Sequence, residues 1–545
     1  MIKTTKFSYT PTGNLHILKK PDGTKLTYTY DSLGYMKSLV SSRNDIHYVY
    51  EYNRIGYLIS SRDLIHNTQT YRIVDPHGNI HQETLANGYT LNHCYDSQGR
   101  RTDMMLPMVG KSIHYSYLGP YLYQVFCDDF SFTYQYDLSG NPLDNTLTTL
   151  TYDSLSRPIT LTSPQFYQHC AYDIRGNMAS IDSTHGRKEF AYDDYDHLIH
   201  EPQNSYSYDS LHNRIAKNDM PLVLNTLNQI ESPDHEYDRN GNLIRLGNTH
   251  LIYDSLDRLI TVKTPTHSYS FTYDAEHRRL TKNHTLYIWD GNHELGTLGE
   301  YRILGPTPHA EIGSAITIFI NNEPFFPIHD LHGNLIQLLT PDQDLALEQT
   351  FTAFGEGDSK LSWGFSSKRH DPETDLIYFG RRFYDPKHGR FISPDPEGYT
   401  DSSNLYAFVL NNPLINRDPY GLFMDDYLEE AARQKDYSWR DFAPSLRELG
   451  SGFVNGIAGS LINNAEFVGG FGAAGVDLFG ISMPGTFGQG FSNTNNLLST
   501  TESLQALSNQ TFAYDRNGIG NSIAYGLGMC GTEAAIAYMT RGGSL

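Results

Sequence analysis

Along residues 1–360, short runs in which aromatic or aliphatic positions alternate with polar ones stop at a polar turn, resume, and stop again. Alternation at period two marks a strand with one buried face. The stops are themselves repetitive: Tyr30-Asp31-Ser-Leu-Gly34, Tyr95-Asp96-Ser-Gln-Gly99, Tyr136-Asp137-Leu-Ser-Gly140, Tyr172-Asp173-Ile-Arg-Gly176 and Tyr237-Asp238-Arg-Asn-Gly241. Forms without the glycine stand at Tyr152-Asp153, Tyr208-Asp209, Tyr253-Asp254 and Tyr273-Asp274, and Tyr9 with Gly13 and Tyr52 with Gly56 fit the same frame. Successive tyrosines 136, 152, 172, 192 and 208 are 16, 20, 20 and 16 residues apart.

One unit has a simple physical reading. A second tyrosine two positions upstream, as in Tyr28-Thr-Tyr30, Tyr134-Gln-Tyr136 and Tyr206-Ser-Tyr208, puts both rings on one face of a strand. The aspartate accepts hydrogen bonds from turn N–H groups, and the glycine supplies a position of positive φ. An apolar-polar run such as Asn242-Leu-Ile-Arg-Leu246 then opens the return strand. A single hairpin of this kind cannot bury its aromatic face, but roughly fifteen side by side can, as one twisting antiparallel ribbon. Coiling hides that face and reduces free edges. The expected fold class is therefore mainly all-β; whether the coil is hollow or filled stays open from these patterns.

The monotony ends in the stretch Tyr378–Leu422, YFGRRFYDPKHGRFISPDPEGYTDSSNLYAFVLNNPLINRDPYGL. It holds three Asp-Pro pairs, Asp385-Pro386, Asp395-Pro396 and Asp418-Pro419, the last two opening D-P-x-G turns. Proline fixes its own φ and pushes the preceding residue out of the helical region, so each carboxylate sits on a stiff turn. An isolated D-P-x-G is ordinarily only a turn. Three in one segment at a compositional boundary weigh against that reading.

Composition narrows the rest. The net charge of −21 argues against a non-specific nucleic-acid surface, and 40 Tyr against 3 Trp fits a β-rich, turn-rich chain. Cys94, Cys127, Cys170 and Cys530 lack ligand-like spacing and read as incidental thiols. The stretch MIKTTKFSYTPTGN has no apolar core of a Sec-type signal, and no uncharged apolar run reaches the ~18–20 residues of a spanning helix. His329 and His332 have i, i+3 spacing without an evident third ligand, so no metal and no cofactor are expected. Walker, G-x-S-x-G, H-E-x-x-H and dinucleotide fingerprints do not occur.

The repeats, the FTAFGE run Phe351–Glu356, and the RRFYDP…GRFISPDP…NLYAF…NNPLINRDPYGL run resemble the Rhs / YD-repeat family over residues 1–422. That family takes in bacterial polymorphic toxins, the C component of Tc toxins and the YD shell of teneurins. The resemblance implies a spiral β-sheet shell (1–360), a core or plug segment (361–422), and a variable C-terminal segment (423–545) that is enclosed and then cut free. It places the cut after Leu422, before Phe423, the acidic pair on Asp395 and Asp418, and a supporting arginine on Arg382. The partners it implies are the chain's own C-terminal segment as cargo, a separate shell-closing or delivery protein, and a cognate immunity protein.

These residues make chemical sense together. Asp395 and Asp418 are 23 positions apart, so the loop between them must fold back to join the carboxyls. Two close carboxylates cannot both stay ionised; the charged one can draw a proton from water while the protonated one polarises a peptide carbonyl. Arg382 would hold one carboxylate in place. The bond lies four residues past Asp418 and is delivered within the chain itself. Asp385 and Arg390 are the nearby alternatives.

Beyond Leu422, Met424 to Leu449 reads as a charged amphipathic helix with Tyr427, Leu428, Ala431 and Ala432 on one face. From Gly450 charge nearly vanishes and glycine becomes dense, as in Gly469-Gly470-Phe-Gly472-Ala-Ala-Gly475. Such segments suit close helix approach, including in lipid, although Glu466 and Asp477 interrupt the best stretches. Membrane contact of residues 450–545 and a loosely packed cargo are equal readings. The sequence begins inside a repeat at Phe7-Ser-Tyr9, which leaves open a shell closed by a partner or a piece of a longer protein. Two functions follow: a self-processing toxin carrier leaving the cell by a non-Sec route, or a non-enzymatic surface or scaffold protein with a membrane-seeking tail.

Overall fold

The computed structural model describes residues 4–127, 130–306, 310–400 and 402–422; the expectations for Phe423 and for the 423–545 segment lie outside them. Residues 17–422 fall in one unit, and Phe7–His16, which carries most of the exposed strand Lys6–Tyr9, groups apart from it. Within the main unit the strands follow one another in chain order, each paired antiparallel with its predecessor and successor in its sheet. The longest such run goes from Leu15–Lys19 to Phe130–Thr133. Among the described residues there is no α-helix, only the single 3-10 turns Phe365–Ser367 and Val409–Asn411.

The Tyr-Asp units form the expected turns. Asp173 Oδ1 accepts from the N–H groups of Arg175 (2.8 Å) and Asn177 (2.9 Å), and Gly176 sits at φ +93°. Where the glycine is missing, Ser156, His212, Asp257 and His277 occupy the same left-handed position at φ 59–67°. The paired rings share a face, with Tyr134 and Tyr136 6.5 Å apart; the upstream ring is buried at Tyr134 and Tyr206 and half-buried at Tyr28.

A further regularity explains why the ring must be tyrosine. The strand register slips at each Tyr, for example between Ala171 and Tyr172. The Tyr172 hydroxyl then donates to Pro158 O (2.8 Å), the residue paired with the previous unit's Tyr152. Tyr192 donates in the same way to Met178 O (2.9 Å), which is paired with Tyr172, and Tyr273 to Leu259 O (2.7 Å), paired with Tyr253. These hairpins are latched to their neighbours by a hydroxyl that also satisfies a carbonyl. Phenylalanine could fill the space but not make the bond.

The ribbon is wrapped. Lys20 Nζ donates to Ser255 O (2.7 Å), Tyr50 to Ala275 O (2.9 Å), and Asn87 to Tyr287 O (2.7 Å). Farther on, Leu331 N donates to Gln168 Oε1 (3.1 Å), and His185 meets Glu348 at 3.0 Å. Both partners rise through the sequence together, so the second pass follows the first in the same direction, as a spiral does. Between the passes lies a buried ion cluster in which Arg72 binds Glu83 (2.7 Å) and Glu276 (2.5 Å), and Arg278 binds Glu83 (2.8 Å). Pairing on both sides is what makes such buried charge tolerable.

The segment after the ribbon packs on its apolar face. Leu376, Phe383, Ile392 and Leu414 belong to the same core as Leu85, Phe132, Tyr206 and Phe271. Its side chains also hold the ends of three repeat turns: Asn412 donates to Asn177 Oδ1 (2.8 Å), Asn404 to Asn213 Oδ1 (2.7 Å), and Tyr406 to Gly241 O (2.7 Å). A second block of Phe365, Ile377, Phe379, Tyr384, Phe391, Phe408 and Val409 forms the floor on which the candidate site rests.

Candidate functional site: two aspartates at one guanidinium

All three Asp-Pro pairs are turns. Asp385 Oδ1 accepts from Lys387 N (3.0 Å), Asp395 Oδ1 from Glu397 N (3.0 Å), and Asp418 Oδ1 from Tyr420, Gly421 and Leu422 N–H (3.2, 2.6 and 3.1 Å). Two of them are more than turns. Arg382 Nη2 lies 2.6 Å from Asp395 Oδ2 and 3.5 Å from Asp418 Oδ2, so one guanidinium nitrogen serves both carboxyl groups. The intervening loop does fold back.

Arg382 is itself fixed. Its strand neighbour Phe383 is buried in the core, and its guanidinium stacks 3.7 Å from the centre of the Phe391 ring. Nε donates to Gly421 O (2.6 Å) and Nη1 to Leu405 O (3.2 Å). A planar fork of donors suits this multiple grip, which lysine could not reproduce. Gly421 sits at φ +72°, and a Cβ there would come within 3.1 Å of Arg382 N. The glycine of R-D-P-Y-G-L is thus required by both backbone conformation and close approach.

The two carboxyls differ in surroundings. Asp418 is 3 % exposed, and burial pushes its pKa up, against the opposing pull of Arg382 and the three N–H groups. Asp395 holds the closer contact with the guanidinium. A cleft beside them is lined by Arg382, Asp395, Ser402, Asn404, Asp418 and Leu422. Val409 and Leu410, also on its wall, have φ 43° and 50°, and Asn411 has φ 59°. A β-branched residue in the left-handed region is a genuine outlier, sustained only when its surroundings hold it. Here Phe408 is locked into the aromatic floor, and Asn411 Nδ2 donates to His212 O (2.8 Å).

The alternatives lie apart from this cluster. Asp385 Oδ2 is taken by His388 Nδ1 (2.5 Å), and Arg390 Nη2 donates to Asn228 O. His332 N donates to Asp330 Oδ1 (2.9 Å), an ordinary repeat turn, and among the described residues no three His, Cys, Asp or Glu side chains form a metal-binding group. Cys94 and Cys170 form no disulfide, and Cys530 lies outside the described residues. Sequence reasoning missed Lys368, which lies in GFSSKRHD without any local signature; its Nζ donates to Pro419 O.

No family model matches the chain. It is 26% identical over 221 residues to the tRNA3(Ser)-specific nuclease WapA of Bacillus spizizenii, covering 36% of this chain and 10% of that protein. It is 45% identical over 64 residues to the toxin subunit YenC1 of Yersinia entomophaga, covering 12% of this chain and 6% of the relative. The probable deoxyribonuclease RhsA of Dickeya dadantii is 27% identical over 226 residues, covering 36% of this chain and 16% of the relative. The matched parts are thus a small share of these longer proteins. Among solved structures, the crystal structure of TcdB2-TccC3 superposes with a TM-score of 0.64 at 16% identity, covering 77% of this chain and 28% of that one, and shares its fold. With its Tyr-Asp spiral, its Asp-Pro core run and these relatives, the chain is similar to proteins of the Rhs / YD-repeat family.

Proposed function

We propose that the chain is a toxin carrier whose ribbon and core segment enclose the 423–545 segment and release it by one intramolecular hydrolysis of the Leu422–Phe423 peptide bond. The single observation that carries the reading is the shared contact of Asp395 and Asp418 with Arg382 Nη2, four residues before that bond. Asp395, ion-paired, is the base; Asp418, whose burial favours the neutral acid, is the proton donor.

In this scheme a water in the cleft gives a proton to Asp395 Oδ2 as its oxygen bonds to the Leu422 carbonyl carbon. Asp418 gives its proton to the carbonyl oxygen. The tetrahedral intermediate collapses as the C–N bond breaks: Asp395 passes the proton it took from water to the Phe423 nitrogen, Asp418 regains a proton from a hydroxyl of the intermediate, and Leu422 is left as a carboxylic acid that ionises in water. Arg382 keeps the two acids unequal and pins Gly421, so the strand need not search for its geometry. One turnover suffices.

The test compares wild type with Asp395→Asn and Asp418→Asn by denaturing electrophoresis after native purification. Wild type is expected as a 422-residue and a 123-residue fragment (545 − 422) that co-elute until denatured. Each variant should slow cutting by at least about a hundredfold, as removal of a positioned acid or base does, with Asp418→Asn keeping the wild-type melting profile and Asp395→Asn melting lower because the buried Arg382 loses its closer carboxylate. A wild-type chain that stays whole would favour the non-enzymatic scaffold.

A further inference from the structure

The five residues leading to the proposed cut are held at every carbonyl between Asp418 and Leu422. Gly421 O accepts from Arg382 Nε (2.6 Å), Tyr420 O from the Arg381 backbone N–H (3.0 Å), and Pro419 O from Lys368 Nζ. Lys368 is 1 % exposed, and the rings of Phe379 and Tyr420 lie 5.9 and 5.6 Å from its ammonium. Among the described residues its carboxylate partner is Glu311, at 2.7 Å. Glu311 belongs to the ribbon, between the strands Glu300–Leu304 and Ala315–Ile320, and also faces Arg302 (3.8 Å) and His293 (3.6 Å). Burial disfavours the charged form of Lys368, and Glu311 opposes that effect. An ammonium placed so far from water, with one carboxylate and one carbonyl, carries a desolvation cost that its pairing must offset.

Resting on the self-cleavage reading above, we infer that Lys368 is a positioning residue for that reaction, fixing the Pro419 carbonyl from the ribbon side while Arg382 fixes Gly421 from the other. The scissile strand is thereby stretched between two cations, one anchored to the acid pair and one to the ribbon through Glu311. Cleavage geometry is complete only when the second pass of the ribbon and the core segment have folded together. The uncut carrier is in this way kept from releasing its cargo before the wall around it exists.

The experiment times appearance of the 123-residue fragment (545 − 422) during cell-free synthesis of the full chain, with melting temperature measured on each product. Lys368→Met should slow cutting by at least about tenfold, the scale set by small misplacements of a reacting group, and Lys368→Arg should recover most of the rate. The deciding variant is the double change Lys368→Met with Glu311→Met, which removes both buried charges together. It should recover part of the stability lost in Lys368→Met, because Glu311 no longer stands buried without its ammonium while Arg302 loses only a 3.8 Å contact, yet cut as slowly as Lys368→Met alone. A double variant that regains the wild-type rate along with stability would overturn the inference, since Lys368 would then act on folding only. So would wild-type rates in all the Lys368 variants. A wild-type chain that never cuts would instead remove the reading on which the inference rests.

Discussion

The same device, an aspartate gripping the N–H groups that follow it, occurs at the solvent-facing ribbon turn of Asp137 and at Asp418 in the end of the core segment, with opposite consequences for acidity. At Asp137 the carboxylate accepts from Ser139 N (2.8 Å), Asn141 N (2.9 Å) and Asn141 Nδ2 (2.8 Å), and the Asn141 side chain leads in holding its pKa below the usual value. At Asp418 three N–H groups and an arginine converge on one carboxyl, and burial still wins, pushing the pKa up. The motif sets geometry, and solvent access decides whether that geometry holds a turn or a proton. At Asp137 the turn serves structure because its tip is in water, whereas the buried repeat turn at Asp274 is pushed up by burial as Asp418 is. In the core segment the aromatic floor has removed the water.

That contrast can be tested in order of expected effect. The largest is at Asp418, where Asp418→Asn should abolish cutting with little change in melting, while Asp137→Asn should leave cutting intact and shift melting by about 2 °C or less. Equal effects of both on cutting, read by gel, would dissolve the distinction. Next comes the ion cluster between the ribbon's two passes. Glu276→Gln leaves Arg72 without one carboxylate partner, and chemical denaturation should show a loss of about 3–5 kcal/mol.

The same cluster sets a pH limit. Although burial favours its neutral form, the Arg72 and Arg278 guanidiniums hold Glu276 down to about 2, below its ordinary 4.5. The folded pKa is below the unfolded one, so this stabilisation is present above about 4.5 and lost as pH falls toward 2. Melting temperature should therefore decline across that window, and less steeply in Glu276→Gln. A flat profile in wild type would contradict the assignment. The smallest effect is the latch: Tyr192→Phe leaves Met178 O without its hydroxyl donor and should cost about 1 kcal/mol in denaturant unfolding.

Much of the ribbon was legible because its rules are local. The Asp-to-N–H grip and the positive φ at Gly176 or His212 span only four residues, and alternation reports which face is buried. The tyrosine latch was not legible, since nothing in Tyr172 names Pro158 as the carbonyl waiting for it. Neither was the contact of Arg72 with Glu276, 204 residues away, because a turn tip does not record which rim it meets. At the site, the three Asp-Pro turns follow from proline alone. The choice of Asp395, Asp418 and Arg382 came from the family resemblance; that both carboxyls meet at one guanidinium nitrogen, and that Asp385 turns to His388, is visible only as geometry. Lys368 carries no motif at all; its part emerges only when Pro419 is seen across from it.

The most direct test of the central claim is the intact mass of the natively purified, then denatured, wild-type chain. Two species are expected, one ending at Leu422 and one beginning at Phe423, with neither present from the Asp395→Asn chain. A single 545-residue mass in wild type, or a break at any other bond, would contradict it.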